Sequence, residues 1–156
     1  MIYELLIFAH LLGMLLVLGV GTGSAFYKYL ADRSGSLETI VHVNRYVVMA
    51  DWVFTTPSVV IQPLSGIALA HYLDLSLLTP WLIVSIVLYG ISGVLWLGAV
   101  YLQIRMRDIS VEALDLGQEL PEQYGRYRAI WTWLGVPSFV CMFGVLVLMN
   151  FRYLLQ

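Results

Sequence analysis

The chain has 156 residues, of which 60% are hydrophobic and only 12% charged, with a formal net charge of −2 and a mean hydropathy of +0.84. A water-soluble domain carries about a quarter charged residues, so this composition excludes water as the main solvent and points to a membrane protein. The single cysteine, Cys141, excludes an intrachain disulfide, a CxxCH haem attachment and a cysteine metal cluster.

Crossing the hydrocarbon core takes about 20 apolar residues in a helix. Four stretches qualify, roughly 5–27, 52–72, 81–104 and 130–151. The expected fold is all-α, one integral membrane four-helix bundle forming a single domain. The N-terminal run lacks a basic leader and a small-x-small cleavage site, so it reads as the first span rather than a secretory signal. Lys28, Arg33 and Arg45 flank the first connection and Arg105, Arg107, Arg126 and Arg128 the third, leaving only Arg152 beyond the last span. By the positive-inside rule that basic side is cytoplasmic, and both termini face the non-cytoplasmic side. The expected location is a bacterial inner membrane, with lipid as a partner and no nucleic acid.

In span one, Gly19 and Gly23 form a small-xxx-small pair, read as a helix-packing face or the contact of a homo-oligomer. Ser36 is placed to cap a helix that begins near Leu37 and runs into span two. From Leu37 to Tyr72 it would be about 54 Å long at 1.5 Å per residue, so a break or strong tilt is expected, with Pro57 and Pro63 to supply it. The carbonyls they free need partners, and Thr55, Ser58, Gln62 and Ser65 are the nearby candidates. Thr79-Pro80 reads as the start of span three, an N-cap followed by proline at the first helical position. The mixed-charge stretch ISVEALDLGQELPEQYGRYR, with Pro121 as another helix-starting proline, is expected to be a cytoplasmic loop or interfacial helix. Span four carries Trp131, Trp133 and a bend at Gly135 to Pro137. Trp52 with Pro57-Ser58 and Trp133 with Pro137-Ser138 give spans two and four a faint likeness, that of a two-helix duplication.

Chemistry is sought among the polar residues inside the spans, which are functional by default in lipid. His10 in span one and His71 in span two share the outer half of the bundle, and His42 lies on the opposite side. Gly13 stands one turn from His10 and Ala68 one turn from His71, leaving room beside each imidazole for a flat ligand. Neutral imidazole is the common axial ligand of b-type haem, so His10 and His71 are the candidate metal ligands, with Gly13 and Ala68 beside the porphyrin. The other reading of His71 is an interfacial side chain reaching water. Asp51, at the basic edge of span two, is read as an ion-pair partner of Arg45, Arg105 or Arg126, with proton relay as the alternative. Met142 and Met149 suit packing better than a copper path. Arg105 and Arg126, in the basic cluster, are candidates to hold lipid phosphates or the propionates of a substrate entering from the cytoplasm.

The stretches ADWVFTTPSVVIQPLSG, LWLGAVYLQIRMRD and YRAIWTWLGVPSF resemble the bacterial membrane family known as domain of unknown function 2269, over nearly the whole chain. More distantly, a first-span histidine, a glycine block about ten residues later and a proline-then-glycine second span resemble HemJ-type protoporphyrinogen oxidases and copper-resistance D-type membrane proteins. That likeness implies b-type haem with His10 as ligand. Where the HemJ type has a further histidine in span three, this chain reads LYGISG, so His71 would be the replacement ligand. The leading functional expectation is haem-based electron transfer near the outer leaflet, with quinone or a redox partner protein exchanging electrons. The alternatives are a porphyrinogen oxidase, and a cofactor-free transport or structural protein.

Overall fold

A computed structural model describes residues 1–151 of the chain, and the ordered elements among them are all helical. Helix α1 spans Ile2–Arg33. The second crossing is composite: α2 is Leu37–Ala50, a π-helical turn follows at Asp51–Thr55, and α3 is Thr56–Tyr72. Helices α4, Pro80–Asp115, and α5, Glu122–Asn150, complete the four crossings. Each crossing holds a stretch long and apolar enough to span a bilayer. The expected all-α membrane bundle is therefore the fold. Arg152, expected beyond the last span, lies outside the described residues.

The helices run further than the expected spans. At 36 residues, α4 is about 54 Å long against about 30 Å of hydrocarbon. Most of the mixed-charge stretch expected as a loop or surface helix is continuous with α4 and α5, leaving 116–121 as the connection. The cause is a buried stripe at helical spacing: Met106, Ser110 and Ala113 are buried, and α4 packs on α2. The stop is local. Gly117 takes φ +62°, and the N–H groups of Gly117 and Gln118 return to the carbonyls of Leu114 and Ala113 at 3.1 and 2.9 Å. That pattern is a Schellman cap, which needs a left-handed residue where glycine costs least. Helix α3 ends the same way with Asp74 at φ 51°, as Leu75 N–H bonds the Ala70 carbonyl at 2.9 Å.

Helix starts follow the sequence more closely. Ser36 caps α2, its Oγ accepting from Thr39 N–H at 3.2 Å. Pro80 opens α4 with Thr79 as N-cap, although the Thr79 hydroxyl donates to the Ser76 carbonyl instead. Pro121 stands one place earlier than expected, at the N-cap of α5.

Both prolines of the second crossing leave a mark. Pro57 has no N–H to return to the preceding turn, and the chain there widens into the π turn, in which Thr56 N–H bonds the Asp51 carbonyl. Pro63 sits inside α3 and strands the carbonyl four residues earlier, that of Val59. Tyr89 on α4 donates its hydroxyl to that carbonyl at 2.6 Å. The partner thus comes from the third crossing, not from Thr55, Ser58, Gln62 or Ser65. Helix α5 continues through Pro137, beside which Ser92 and Ser138 pair across α4 and α5 at 2.8 Å.

Packing concentrates at two levels. At the basic end Ile40, Leu102, Met106 and Tyr124 form one core. Towards the other end Met14, Met142 and Val145 form a second, with Met149 against it, so the methionines of span four are packing residues. Large apolar side chains such as Phe8, Leu15, Val94 and Trp133 face outward, as lipid requires. The most apolar stretch of the second crossing is 28% buried and that of α1 or α5 only 11%, which makes the second crossing the central one. A side chain at Gly19 or Gly23 would meet nothing within 4 Å, so this pair packs on no helix among the described residues.

Candidate functional site

Helix α1 is tied to the bundle at two polar points, His10 and Lys28, about 27 Å apart along the helix at 1.5 Å per residue. His10 Nδ1 lies 3.0 Å from Ser65 Oγ and 3.2 Å from the Gln62 carbonyl. Its Nε2 lies 3.3 Å from Gln62 Nε2. Ser65 already donates to the Ile61 carbonyl at 2.7 Å, so the consistent tautomer is Nδ1–H donating and Nε2 accepting from the Gln62 amide. Glycines make the fit possible. A Cβ on Gly66 would stand 3.1 Å from His10 Cε1, and one on Gly13 would stand 2.5 Å from Gln62 Oε1.

These residues do not fit a two-histidine haem. The Nε2 lone pair that iron would need accepts from Gln62, and the space beside Gly13 belongs to the Gln62 side chain. His71 is exposed and lies five residues beyond Gly66, beside which the His10 ring packs. Ala68 is half-buried. The hydrogen bonds of His10 go to Gln62 and Ser65 and none to His71, and the neighbouring Tyr3–Tyr72 stack, centroids 5.5 Å apart, joins the ends of α1 and α3. Arg105 is exposed, and Arg126, also exposed, pairs with Glu122 one turn before it at 3.6 Å. Neither faces the bundle interior. Among the described residues no group of three or more metal-binding side chains occurs.

At the basic end the interior is polar and closed. Lys28, 1% exposed, donates to Asn44 Oδ1 at 2.7 Å and to the Tyr124 hydroxyl at 3.0 Å, with Asp32 at 3.4 Å. Tyr124 donates to Asp32 at 2.6 Å, and Asn44 reaches Ser110 on α4 at 3.0 Å. One cluster thus joins all four crossings, with each charge compensated, as burial demands. Its ceiling is Trp131, whose ring lies 5.8 Å from Lys28 Nζ.

Beyond Trp131 lies a cavity of about 370 Å³ between α1, the second crossing, α4 and α5. Its walls are largely apolar or small residues such as Val17, Gly21, Val59, Gly93 and Met142. Among the described residues, five polar atoms in those walls are buried and make no hydrogen bond of normal geometry: Asp51 Oδ2, Thr55 Oγ1, Gln103 Oε1, and the indole nitrogens of Trp96 and Trp131. Buried polar groups are otherwise nearly always hydrogen-bonded, so five around one space mark it as built for polar contact. Two of them belong to the π turn. Thr22, Ser65, Ser85 and Thr132 each bond back to the carbonyl four residues earlier. Thr55 does not, because the widened turn displaces that carbonyl, and its hydroxyl turns inward beside Asp51. Such π turns are frequent at functional sites.

Asp51 is accordingly not the expected ion-pair partner of Arg45, Arg105 or Arg126. Among the described residues it makes no ion pair, and no Lys, Arg or His lines the cavity. The mouth faces lipid. Gly21 and Thr22 on α1, and Thr132, Val136 and Phe139 on α5, line the cavity and are also exposed. Helices α1 and α5 touch only sparsely, meeting at Met14 with Met142 and at Lys28 with Tyr124.

Sequence reading singled out His10, Gly13 and Asp51, but not Gln103, Trp96 or Lys28 as interior groups. A signal for Lys28 was present: it follows His10, Gly21 and Ala25 at helical spacing on the inward face of α1.

Fold and site together define a small four-crossing membrane protein with a lipid-facing internal cavity. The chain belongs to the family described as "Predicted integral membrane protein (DUF2269)", whose model matches residues 4–153. No curated protein and no solved structure matches it.

Proposed function

We propose that the protein binds a small amphipathic molecule, taken up from the bilayer, in the cavity between its four crossings. The observation that carries this reading is the set of five polar atoms without a normal hydrogen bond among the residues that line an otherwise apolar space. Ligand sites are typically concave and apolar, with a few placed polar groups. The indole N–H groups of Trp96 and Trp131 require an acceptor on the occupant, while Asp51 and Gln103 present acceptors. The gap between α1 and α5 gives a membrane-dissolved molecule a direct entrance, whereas the Lys28 cluster blocks the basic end. This role belongs with the cofactor-free alternative expected from sequence rather than with haem-based electron transfer.

The test uses 1-aminoanthracene, an aromatic amine whose fluorescence rises in apolar sites, added to the protein in nanodiscs. A saturable increase over empty nanodiscs is expected. It should be lost in Gly93→Phe, because Gly93 lines the cavity and a side chain there meets no atom within 4 Å to hold it back. An equal increase in wild type and folded Gly93→Phe would refute the reading.

A further inference from the structure

The unpartnered atoms divide by sign. The indole nitrogens of Trp96 and Trp131 can only donate, whereas Asp51 Oδ2 and Gln103 Oε1 can only accept and Thr55 Oγ1 has lone pairs to offer. The three oxygens belong together. Asp51 and Thr55 are the ends of one π turn, and the Thr55 hydroxyl and the Gln103 amide lie near enough to the Asp51 carboxyl to interact with it as hydrogen-bonding groups, yet Asp51 Oδ2, Thr55 Oγ1 and Gln103 Oε1 are each left without a hydrogen bond of normal geometry. All three residues are more than nine-tenths buried, at 5%, 3% and 7% exposure. An isolated carboxylate in lipid is costly and is retained where something of opposite sign meets it.

We infer that Asp51, Thr55 and Gln103 form a binding site for a single positive charge inside the bundle. One carboxylate and two neutral oxygens balance a monovalent cation and leave a divalent one uncompensated in a medium that punishes net charge. The donors are hard oxygens, suited to an alkali ion and not to a soft metal. A break in helical register beside the site is the setting in which membrane helices present oxygens to small cations. The nearest buried cation, Lys28, is spent on Asp32, Asn44 and Tyr124 on the far side of Trp131. Among the described residues no Lys, Arg or His lines the cavity, and the positive charge assigned to the site is an inorganic ion or the ammonium head of an organic amine.

The experiment follows tryptophan emission of the detergent-purified full chain, since Trp96 and Trp131 share the cavity with the three oxygens. Sodium chloride, potassium chloride or benzylamine hydrochloride is titrated into a low-salt zwitterionic buffer, with the same titration of Asp51→Asn showing the effect of ionic strength alone. A saturable change is expected in at least one of the three, weakened at least tenfold in Asp51→Asn and several-fold in Thr55→Ala. Saturation by sodium or potassium identifies an inorganic ion; saturation by benzylammonium alone identifies an amine. No saturable response to any of them, as for a carboxyl that carries its own proton, would overturn the inference, as would equal half-saturation in wild type and Asp51→Asn. The inorganic arms contain no amphiphile, so failure here and failure of the uptake reading are distinguishable. Circular dichroism shows that the variants remain folded, and Gln103→Leu provides a second loss of one oxygen without touching the π turn.

Discussion

Removing one oxygen atom, in Tyr89→Phe, tests whether the proline in α3 dictates a contact made by α4. The Tyr89 hydroxyl bonds the Val59 carbonyl at 2.6 Å, and that carbonyl lacks a helical donor because the residue four positions on is Pro63. Leaving a buried acceptor unsatisfied costs about 1–3 kcal/mol. Interhelical hydrogen bonds in membranes average about 0.6 kcal/mol and reach about 1.7, so the expected loss is about 1–1.5 kcal/mol. Replacing Pro63 by alanine restores an N–H aimed at Val59, so Tyr89→Phe in that background should cost only a few tenths of a kcal/mol. The coupling energy is then about 1 kcal/mol, read as the difference between two pairs of unfolding free energies. Reversible unfolding in mixed detergent–dodecyl sulfate micelles, followed by far-ultraviolet circular dichroism, supplies all four values. Strict additivity of the two substitutions would refute the argument that the tyrosine serves the proline.

Other substitutions probe the two anchors of α1. Lys28→Met leaves Asp32 buried without its cation and should cost about 3–5 kcal/mol in the same assay, with much of it recovered in Lys28→Met/Asp32→Leu; a cost below about 1 kcal/mol would show that the cluster is not a compensated unit. Gly66→Val pushes a side chain at the His10 ring and should destabilise by about 1–3 kcal/mol, whereas Gly19→Val, which meets nothing in the chain, should stay within about 0.5 kcal/mol of wild type. His71→Ala, at an exposed position, should also stay within about 0.5 kcal/mol. Protein purified after expression with haem supply should give the same absorption spectrum as its His71→Ala variant; a Soret band that depends on His71 would contradict the placement of that residue.

The crossings were legible because their cause is local: apolar runs of the right length, a serine before Leu37 and a threonine-proline pair before Trp81. Polar residues inside the spans were legible as candidates, His10 and Asp51 foremost. Their partners were not, because a partner is fixed by how helices lie side by side. Nothing near His10 in sequence names Gln62, and nothing near Pro63 names Tyr89. Arg45 and Arg105 were plausible mates for Asp51 only while its direction was unknown. The π turn settles that direction, and its presence depends on where Pro57 falls relative to the packing of α2 on α4.

An entrance that faces hydrocarbon has a consequence for how affinity will be read. Each methylene on a candidate compound favours the bilayer by about 0.8 kcal/mol, so two added carbons raise its membrane concentration roughly tenfold or more. Aqueous doses across a homologous series would therefore rank tail length even if no tail touches the protein. Comparisons at one chain length, between intact protein and a variant whose chamber is filled at Gly93, isolate what the chamber itself selects.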